Sequence, residues 1–162
     1  MDLSKEERTL RCKEIKKLHL NNGLGNVAPL WHLDKSDIDF GKQNEQLDTD
    51  LMAQGYTILN NINIEALINS LQAPWHDLYR KKYLFHTKHW DDWKICEIIY
   101  NWSNHNKLIP PSICFNELLT DKTFPADGKH RINVAYYFGA TEIPIIIPNK
   151  HSLEVSKLIL GK

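Results

Sequence analysis

Five consecutive residues, Asp127-Gly128-Lys129-His130-Arg131, combine an acid, a glycine and three basic or imidazole side chains. A glycine lets the oxygens of a ligand approach the backbone closely, and an arginine can donate two parallel hydrogen bonds to phosphate oxygens. If a helix begins near Arg131, its first N–H groups lack partners within the helix, and the helix dipole adds positive charge there. The pattern therefore predicts a phosphate or carboxylate site in which Gly128, Lys129, His130 and Arg131 hold the anion.

Asp127 is the only acid in this motif. An acid beside a phosphate coordinates a metal such as Mg²⁺, hydrogen-bonds a hydroxyl group or acts as a base. We therefore take Asp127 and His130 as candidate catalytic residues. The same five residues also fit a solvent-exposed turn with no ligand, because Asp-Gly is common in turns. Composition alone leaves that alternative open.

The elements that would position this motif follow from hydrophobic periodicity. The residues after it predict a short helix that ends at Gly139, and then a strand at 143–147. That strand is apolar on both faces, so we expect it in the centre of a sheet. The residues before the motif predict a helix over 91–104, a turn that leads into a strand over 108–115, and a loop over 121–126.

The flanking regions predict helices that pack on the sheet. The expected elements are a helix over 4–20 capped by Ser4, an irregular segment over 24–50, a strand over 55–59, a helix from Asn63 to Pro74 and a last helix from Ser152 to Gly161. We therefore predict one α+β domain over 1–162, with a small mixed sheet and an N-terminal helical extension. Within it, 1–90 form the extension, 91–149 the core and 150–162 the C-terminal helix.

Bulk composition argues against several functional classes. The chain has 162 residues, of which 42% are hydrophobic, and Lys plus Arg equals Asp plus Glu at 20 each. Proteins that grip DNA through its phosphates usually carry a basic excess, so we expect no DNA partner. The three cysteines form no CxxC pair, which predicts buried reduced thiols. The N-terminus is too charged for a signal peptide, and no apolar run is long enough for a membrane span, so we expect a cytoplasmic protein.

His86, His89 and Asp92 form a second candidate site, because they follow one another at about one helical turn. This spacing can present ligands for zinc or iron if a further ligand completes the set. Several aromatic residues surround them in sequence. A structural aromatic cluster with histidines as polar edges, or a surface that stacks a planar base, therefore stays an alternative.

The C-terminal part of the chain resembles the ParB/sulfiredoxin superfamily. Its members show a helix, a proline-containing turn into a strand, a Gly-x-(His or Arg)-Arg motif that opens a helix, and a strand that begins with Val-Pro or Ile-Pro. The matching segments lie in the same order over about a third of the chain: Ile98–Trp102, Leu108–Phe115, Asp127–Arg131, Ala135, Gly139 and Ile143–Ile147.

This resemblance implies a small sheet of that fold type and a nucleotide whose phosphates contact Gly128, His130 and Arg131. The expected ligands are ATP, ADP or CTP with Mg²⁺. Sulfiredoxins carry a catalytic cysteine in this turn, where Lys129 stands here, so their reaction is not expected. Chromosome-partitioning ParB proteins continue into a DNA-reading domain, for which 149–162 are too short.

The motif is closest to that of the free-serine kinases in this superfamily. The similarity implies a phosphotransferase that acts on a small-molecule acceptor, or a nucleotide hydrolase. Asp92, Glu97 and Glu117 are the candidates for a second acid. Two alternatives stay open. One is a non-catalytic, nucleotide-responsive regulatory module, which would bind without turnover or have its helix start blocked by the protein's own acid. The other is a ParB-like nuclease.

Overall fold

A four-stranded mixed sheet lies at the centre of the computed structural model, which describes residues 3–38, 54–86, 88–119 and 121–161. The spatial order is β1-β4-β2-β3, with β4 antiparallel to β1 and parallel to β2, and with β2 antiparallel to β3. The predicted α+β class is therefore confirmed. The strands are β1 (Tyr56–Asn63), β2 (Ser112–Phe115), β3 (Thr123–Asp127) and β4 (Glu142–Pro148).

The described residues form six α-helices. They are α1 (Lys5–Leu20), α2 (Ile64–Ser70), α3 (Trp75–Arg80), α4 (Asp92–Ser103), α5 (Lys129–Tyr137) and α6 (Ser152–Leu160), with short 3₁₀ turns at Lys35–Asp37 and Asn149–His151. The predictions of helices over 4–20, over 91–104 and from Ser152 are confirmed. In the described parts of the chain, no helix is both long and apolar enough to span a bilayer.

The strand β4 occupies the interior of the sheet, as its sequence predicts. Ile143, Ile145, Ile146 and Ile147 are each at most 1% exposed, because β1 and β2 flank the strand and helices cover the sheet. The N–H of Ile146 donates to the carbonyl oxygen of Pro111 at 2.8 Å, just before β2 begins. Pro111 is thereby fixed to the centre of the sheet.

The N-terminal helix α1 begins with a capping box. The Ser4 hydroxyl accepts from the N–H of Glu7 at 3.1 Å, and the Glu7 carboxylate accepts from the N–H of Ser4 at 2.8 Å. This pairing satisfies two donors that a helix start leaves free. The Arg11 guanidinium then contacts Glu97 of α4 at 2.9 Å, so that α1 is tied to the face of α4.

The predicted loop over 121–126 is wrong, because Thr123–Asp127 form the edge strand β3. Pro125 argued against a strand in the sequence, because proline has no N–H to donate to a neighbouring strand. An edge strand tolerates proline, since one of its sides needs no such hydrogen bonds. The strand β1 is also longer than predicted. Its register shifts between Leu59 and Ile62, where two asparagines interrupt the apolar pattern.

Two boundaries differ from the sequence-based expectations. The helix α2 ends at Ser70, before Pro74. Because β1 belongs to the sheet, the core takes a strand from the segment 1–90 that was predicted as an extension. The described part of the irregular segment lies against α4, where the indole N–H of Trp102 donates to the Leu30 carbonyl at 2.9 Å. The rest of that predicted segment, 39–50, lies outside the described residues.

We expect Ile145→Ala to lower the free energy of unfolding by about 2–5 kcal/mol, because it leaves a cavity in the middle of the sheet. The matched control is Leu153→Ala on α6, where the side chain is 75% exposed, and its effect should stay within about 0.5 kcal/mol. Urea denaturation of both variants measures the difference. Equal effects would contradict the central position of β4.

Candidate functional site

The turn between β3 and α5 is built around Gly128. Its φ of +85° lies in the left-handed region, and a Cβ at this position would come within 2.7 Å of both Cα and Cβ of Pro111. Any side chain would therefore collide with backbone that β4 holds in place. Gly128 is also the N-cap of α5, and the first turn closes with the Ile132 N–H donating to the Gly128 carbonyl at 3.0 Å.

The start of α5 presents uncapped backbone donors. The helix begins at Lys129, two residues before the predicted start at Arg131, and no side chain caps its first turn. The N–H groups of Lys129, His130 and Arg131 have no carbonyl available within the helix. The dipole of this nine-residue helix adds positive charge at the same end. The glycine turn thus has the features predicted for an anion site.

Asp127 and Arg131 form an ion pair across this turn. Nη2 of Arg131 donates to Oδ2 of Asp127 at 2.8 Å, and the two side chains are only 12% and 16% exposed. Nε of Arg131 is buried without a hydrogen-bond partner among the described residues. The Nε–H of Arg131 is therefore still available as a donor. The Nη2 group, which a phosphate would also contact, already donates to Asp127.

His130 points into the protein instead of acting as a cation at the turn. Its Nε2 accepts from the N–H of Asp91 at 3.1 Å, which satisfies a backbone donor at the start of α4. Burial lowers the pKa of His130 to about 4, with the nearby positive charge of Lys129 and Lys94 as the next causes. The side chain is therefore neutral near pH 7. This geometry supports a structural role for His130, whereas the sequence predicted phosphate binding and catalysis.

Lys129 also differs from its predicted role. Its ammonium group lies 5.3 Å from the ring centre of Trp75 on α3, in cation–π geometry. Its carbonyl oxygen accepts from the Tyr79 hydroxyl at 3.0 Å. These contacts direct Lys129 towards α3, and its contribution at the turn is its backbone N–H.

A cleft of about 340 Å³ opens beside the turn, within the size range of small-molecule sites. Trp93 is 41% exposed, and the Arg8 guanidinium and the Lys94 ammonium group lie 4.8 and 5.6 Å from the centre of its ring. Lys94 supplies a cation on the same helix. The lining residues are Trp93, Lys94, Glu97, Ile98, Asn101, Leu108, Asp127, Gly128, His130 and Arg131.

Sequence reasoning missed most of the α4 wall of this cleft. The sequence signal for this wall is helical spacing, which relates Trp93, Lys94, Glu97 and Asn101. This spacing alone is found in any amphipathic helix, so it does not identify a binding site. Glu97, one of the three candidate second acids, does line the cleft. Its carboxylate accepts two hydrogen bonds from Nη1 of Arg11, at 2.9 and 3.1 Å.

The second predicted site lacks a ligand set. The rings of His86 and His89 lie 4.9 Å apart, but the carboxylate of Asp92 is paired with Lys16 of α1. Across the described residues, no group of three or more His, Cys, Asp or Glu side chains is arranged to hold a metal ion. Glu117, the remaining candidate acid, pairs with Lys150 and His151 away from the turn.

A larger cavity of about 1200 Å³ lies between α1 and the start of α4, and Trp93 lines both cavities. The larger cavity is also lined by Cys12, Trp90 and five basic side chains of α1: Lys5, Arg8, Lys13, Lys16 and Lys17. We place the functional site in the smaller cleft, because that cleft contains the uncapped helix start and Arg131.

Comparisons of the chain with protein-family models, with curated proteins and with solved structures found no match. The superfamily resemblance of the segment 91–148 therefore stays a prediction.

We expect Gly128→Ala to destabilise the protein more than Gly139→Ala. Both glycines have nearly the same φ, +85° and +86°, so both variants incur the left-handed penalty of about 1–2 kcal/mol. A Cβ at 128 also collides with Pro111, whereas a Cβ at 139 meets nothing within 4 Å. Overpacking should add about 1–3 kcal/mol at position 128 alone. Chemical denaturation measures both losses, and equal losses would contradict the close approach to Pro111.

His130 should make the stability depend on pH. Its pKa is about 4 in the folded state and 6.5 for a free imidazole, so the unfolded chain binds more protons between these values. The free energy of unfolding therefore falls as the pH drops through this window, by about 3 kcal/mol at pH 4. His130→Gln keeps an acceptor for the Asp91 N–H but does not titrate, so this variant should lose that part of the slope.

The measurement is urea denaturation at a series of pH values. If His130→Gln keeps the full slope, the buried neutral state of His130 is contradicted.

Proposed function

We propose that the chain binds a nucleotide, whose phosphates contact the start of α5 in the cleft beside Gly128. One observation carries this proposal: α5 begins without a side-chain cap, and Gly128, His130 and Arg131 at this helix start line the cleft together with Lys94. Phosphate at a helix start gains from the free donors and from the helix dipole together. The base would stack on Trp93, beside the Lys94 ammonium group that lies 5.6 Å from the ring centre, as planar ligands do on aromatic side chains.

A phosphate at this position competes with Asp127 for Arg131. The guanidinium now donates to Asp127 at 2.8 Å, and a phosphate offers more acceptor oxygens and more negative charge. When the phosphate takes Arg131, Asp127 is left beside an anion. Asp127 then becomes free to hold a cation or to accept a proton.

The residues present fit a magnesium ion. Mg²⁺ is usually bound by one or two carboxylates together with the phosphates of the substrate, and Asp127 supplies such a carboxylate at the turn. When bound, the ion would neutralise charge on the phosphates. Arg131 and the backbone N–H groups would orient them. In this form the protein is a phosphotransferase for a small-molecule acceptor, or a nucleotide hydrolase.

A non-catalytic regulatory module is the second candidate, and the ion pairs of the cleft favour it. Both carboxylates that line the cleft are paired with arginines, Asp127 with Arg131 and Glu97 with Arg11. His130 is neutral and buried, so it is a poor acid or base near pH 7. Binding without turnover would follow if these pairs persist in the complex. We place either form in the cytoplasm, which suits three cysteines that form no disulfide.

We expect ATP, ADP or CTP to bind in the presence of Mg²⁺ and to raise the melting temperature, because they bind the folded state. Arg131→Lys keeps a cation beside Asp127 but loses the planar fork, and it should weaken binding about tenfold, or about 1.4 kcal/mol. The control is Lys157→Gln, an exposed cation on α6. Calorimetry measures the affinities. Absence of binding to the unmodified protein would sink the proposal.

Asp127→Asn separates the proposed displacement from simple charge attraction. The variant removes the competing charge, so inorganic pyrophosphate without Mg²⁺ should bind more tightly than to the unmodified protein. In the catalytic form, the variant should also lose phosphate release from ATP. In the regulatory form, neither protein releases phosphate. Unchanged pyrophosphate affinity would contradict competition between Asp127 and the ligand.

A further inference from the structure

Two cysteines from different helices meet in the contact between α1 and α4. Sγ of Cys96 lies 2.8 Å from Sγ of Cys12 and donates its S–H to that sulfur, although the two residues are 84 positions apart in the chain. Both thiols are free. The length of a disulfide bond is about 2.05 Å, so the two sulfur atoms are close to bonding distance.

We propose that Cys12 and Cys96 form a redox-active dithiol, which closes to a disulfide when the protein meets a peroxide and thereby links α1 to α4 covalently. The proposal does not depend on nucleotide binding. It assigns a modification site to two residues that composition alone predicted as inert packed thiols.

The two sulfur atoms are not equivalent in access. Cys12 lines the cavity between α1 and α4 and is 9% exposed, whereas Cys96 is 1% exposed. Burial, and then the hydrogen bond to Cys12, raise the pKa of Cys96 and keep it a thiol. Lys16 lies one helical turn after Cys12 and lines the same cavity. Cys12 is therefore the sulfur that reacts with the oxidant, and Cys96 is the resolving thiol.

The reaction balances with hydrogen peroxide as the oxidant. The thiolate of Cys12 attacks one peroxide oxygen, the O–O bond breaks, and the leaving hydroxide takes a proton to give water. Cys12 is then a sulfenic acid. The sulfur of Cys96 attacks the sulfur of Cys12, its proton leaves with the hydroxyl group as a second water, and the S–S bond forms. Two thiols lose two electrons, and one peroxide gains them.

The surrounding contacts hold the two helices in register for this step. Arg11, next to Cys12, pairs with Glu97, next to Cys96. Lys16, one turn further along α1, pairs with Asp92, one turn earlier on α4. These ion pairs bracket the two thiols on both helices. The disulfide would form with little movement, and it would restrain the helix that carries Trp93 and Glu97 of the phosphate cleft.

The test is a titration of the folded full-length chain with hydrogen peroxide, followed by blocking of free thiols, digestion without reductant and mass spectrometry. We expect a linked pair of peptides that contains Cys12 and Cys96, with the loss of two hydrogen atoms. Cys114 in β2 should be recovered as the blocked thiol. The melting temperature should rise by about 5 °C or more on oxidation and return after reduction, because the link closes a long loop.

Matched variants test whether Cys12 and Cys96 are the two cysteines that form the disulfide. Cys114→Ser should form the link and gain melting temperature like the unmodified protein. Cys12→Ser and Cys96→Ser should show neither effect, and their intact melting curves before oxidation establish that they are folded. The proposal is overturned if the folded protein keeps both thiols free or converts Cys12 to sulfinic acid without a link. It is equally overturned if Cys114 enters intramolecular links as often as Cys12.

Discussion

The close approach of Gly128 to Pro111 is the constraint on which the site depends. Pro111 is fixed to the central strand, because its carbonyl oxygen accepts from the Ile146 N–H at 2.8 Å. A glycine with φ of +85° is the residue that can pass over this backbone and turn directly into a helix. The start of α5 is therefore held against the sheet, and its free N–H groups have a fixed position.

The position of the turn also sets the positions of α5 and α4, the two helices that line the cleft. His130, the second residue of α5, accepts from the backbone of Asp91 and so fixes where α4 begins. The helix α4 presents Trp93 and Lys94 to the cleft and is itself held by α1 through Arg11. The motif predicted His130 as a phosphate ligand, but in the structure it connects the starts of α4 and α5. It can accept this hydrogen bond because burial keeps its imidazole neutral.

Elements with a strong local signal could be predicted from the sequence. The cap at Ser4, the apolar run of β4 and the period of α4 each predicted the correct element, because capping and periodicity are local properties. The strand β3 was missed, because the tolerance for Pro125 depends on its place at the edge of the sheet. The motif predicted a helix that opens after a glycine, and α5 does begin after Gly128. It could not show that Asp127 pairs with Arg131, since side-chain direction depends on packing.

The most direct test of the proposed phosphate site is an NMR titration of the ¹⁵N-labelled protein with inorganic pyrophosphate. We expect the amide signals of Lys129, His130 and Arg131 to shift together and saturate, because the ligand would accept from these N–H groups. Signals of the basic face of α1, such as those of Lys13 and Lys17, should shift little. Saturable shifts confined to α1, with the start of α5 unchanged, would contradict phosphate binding at α5.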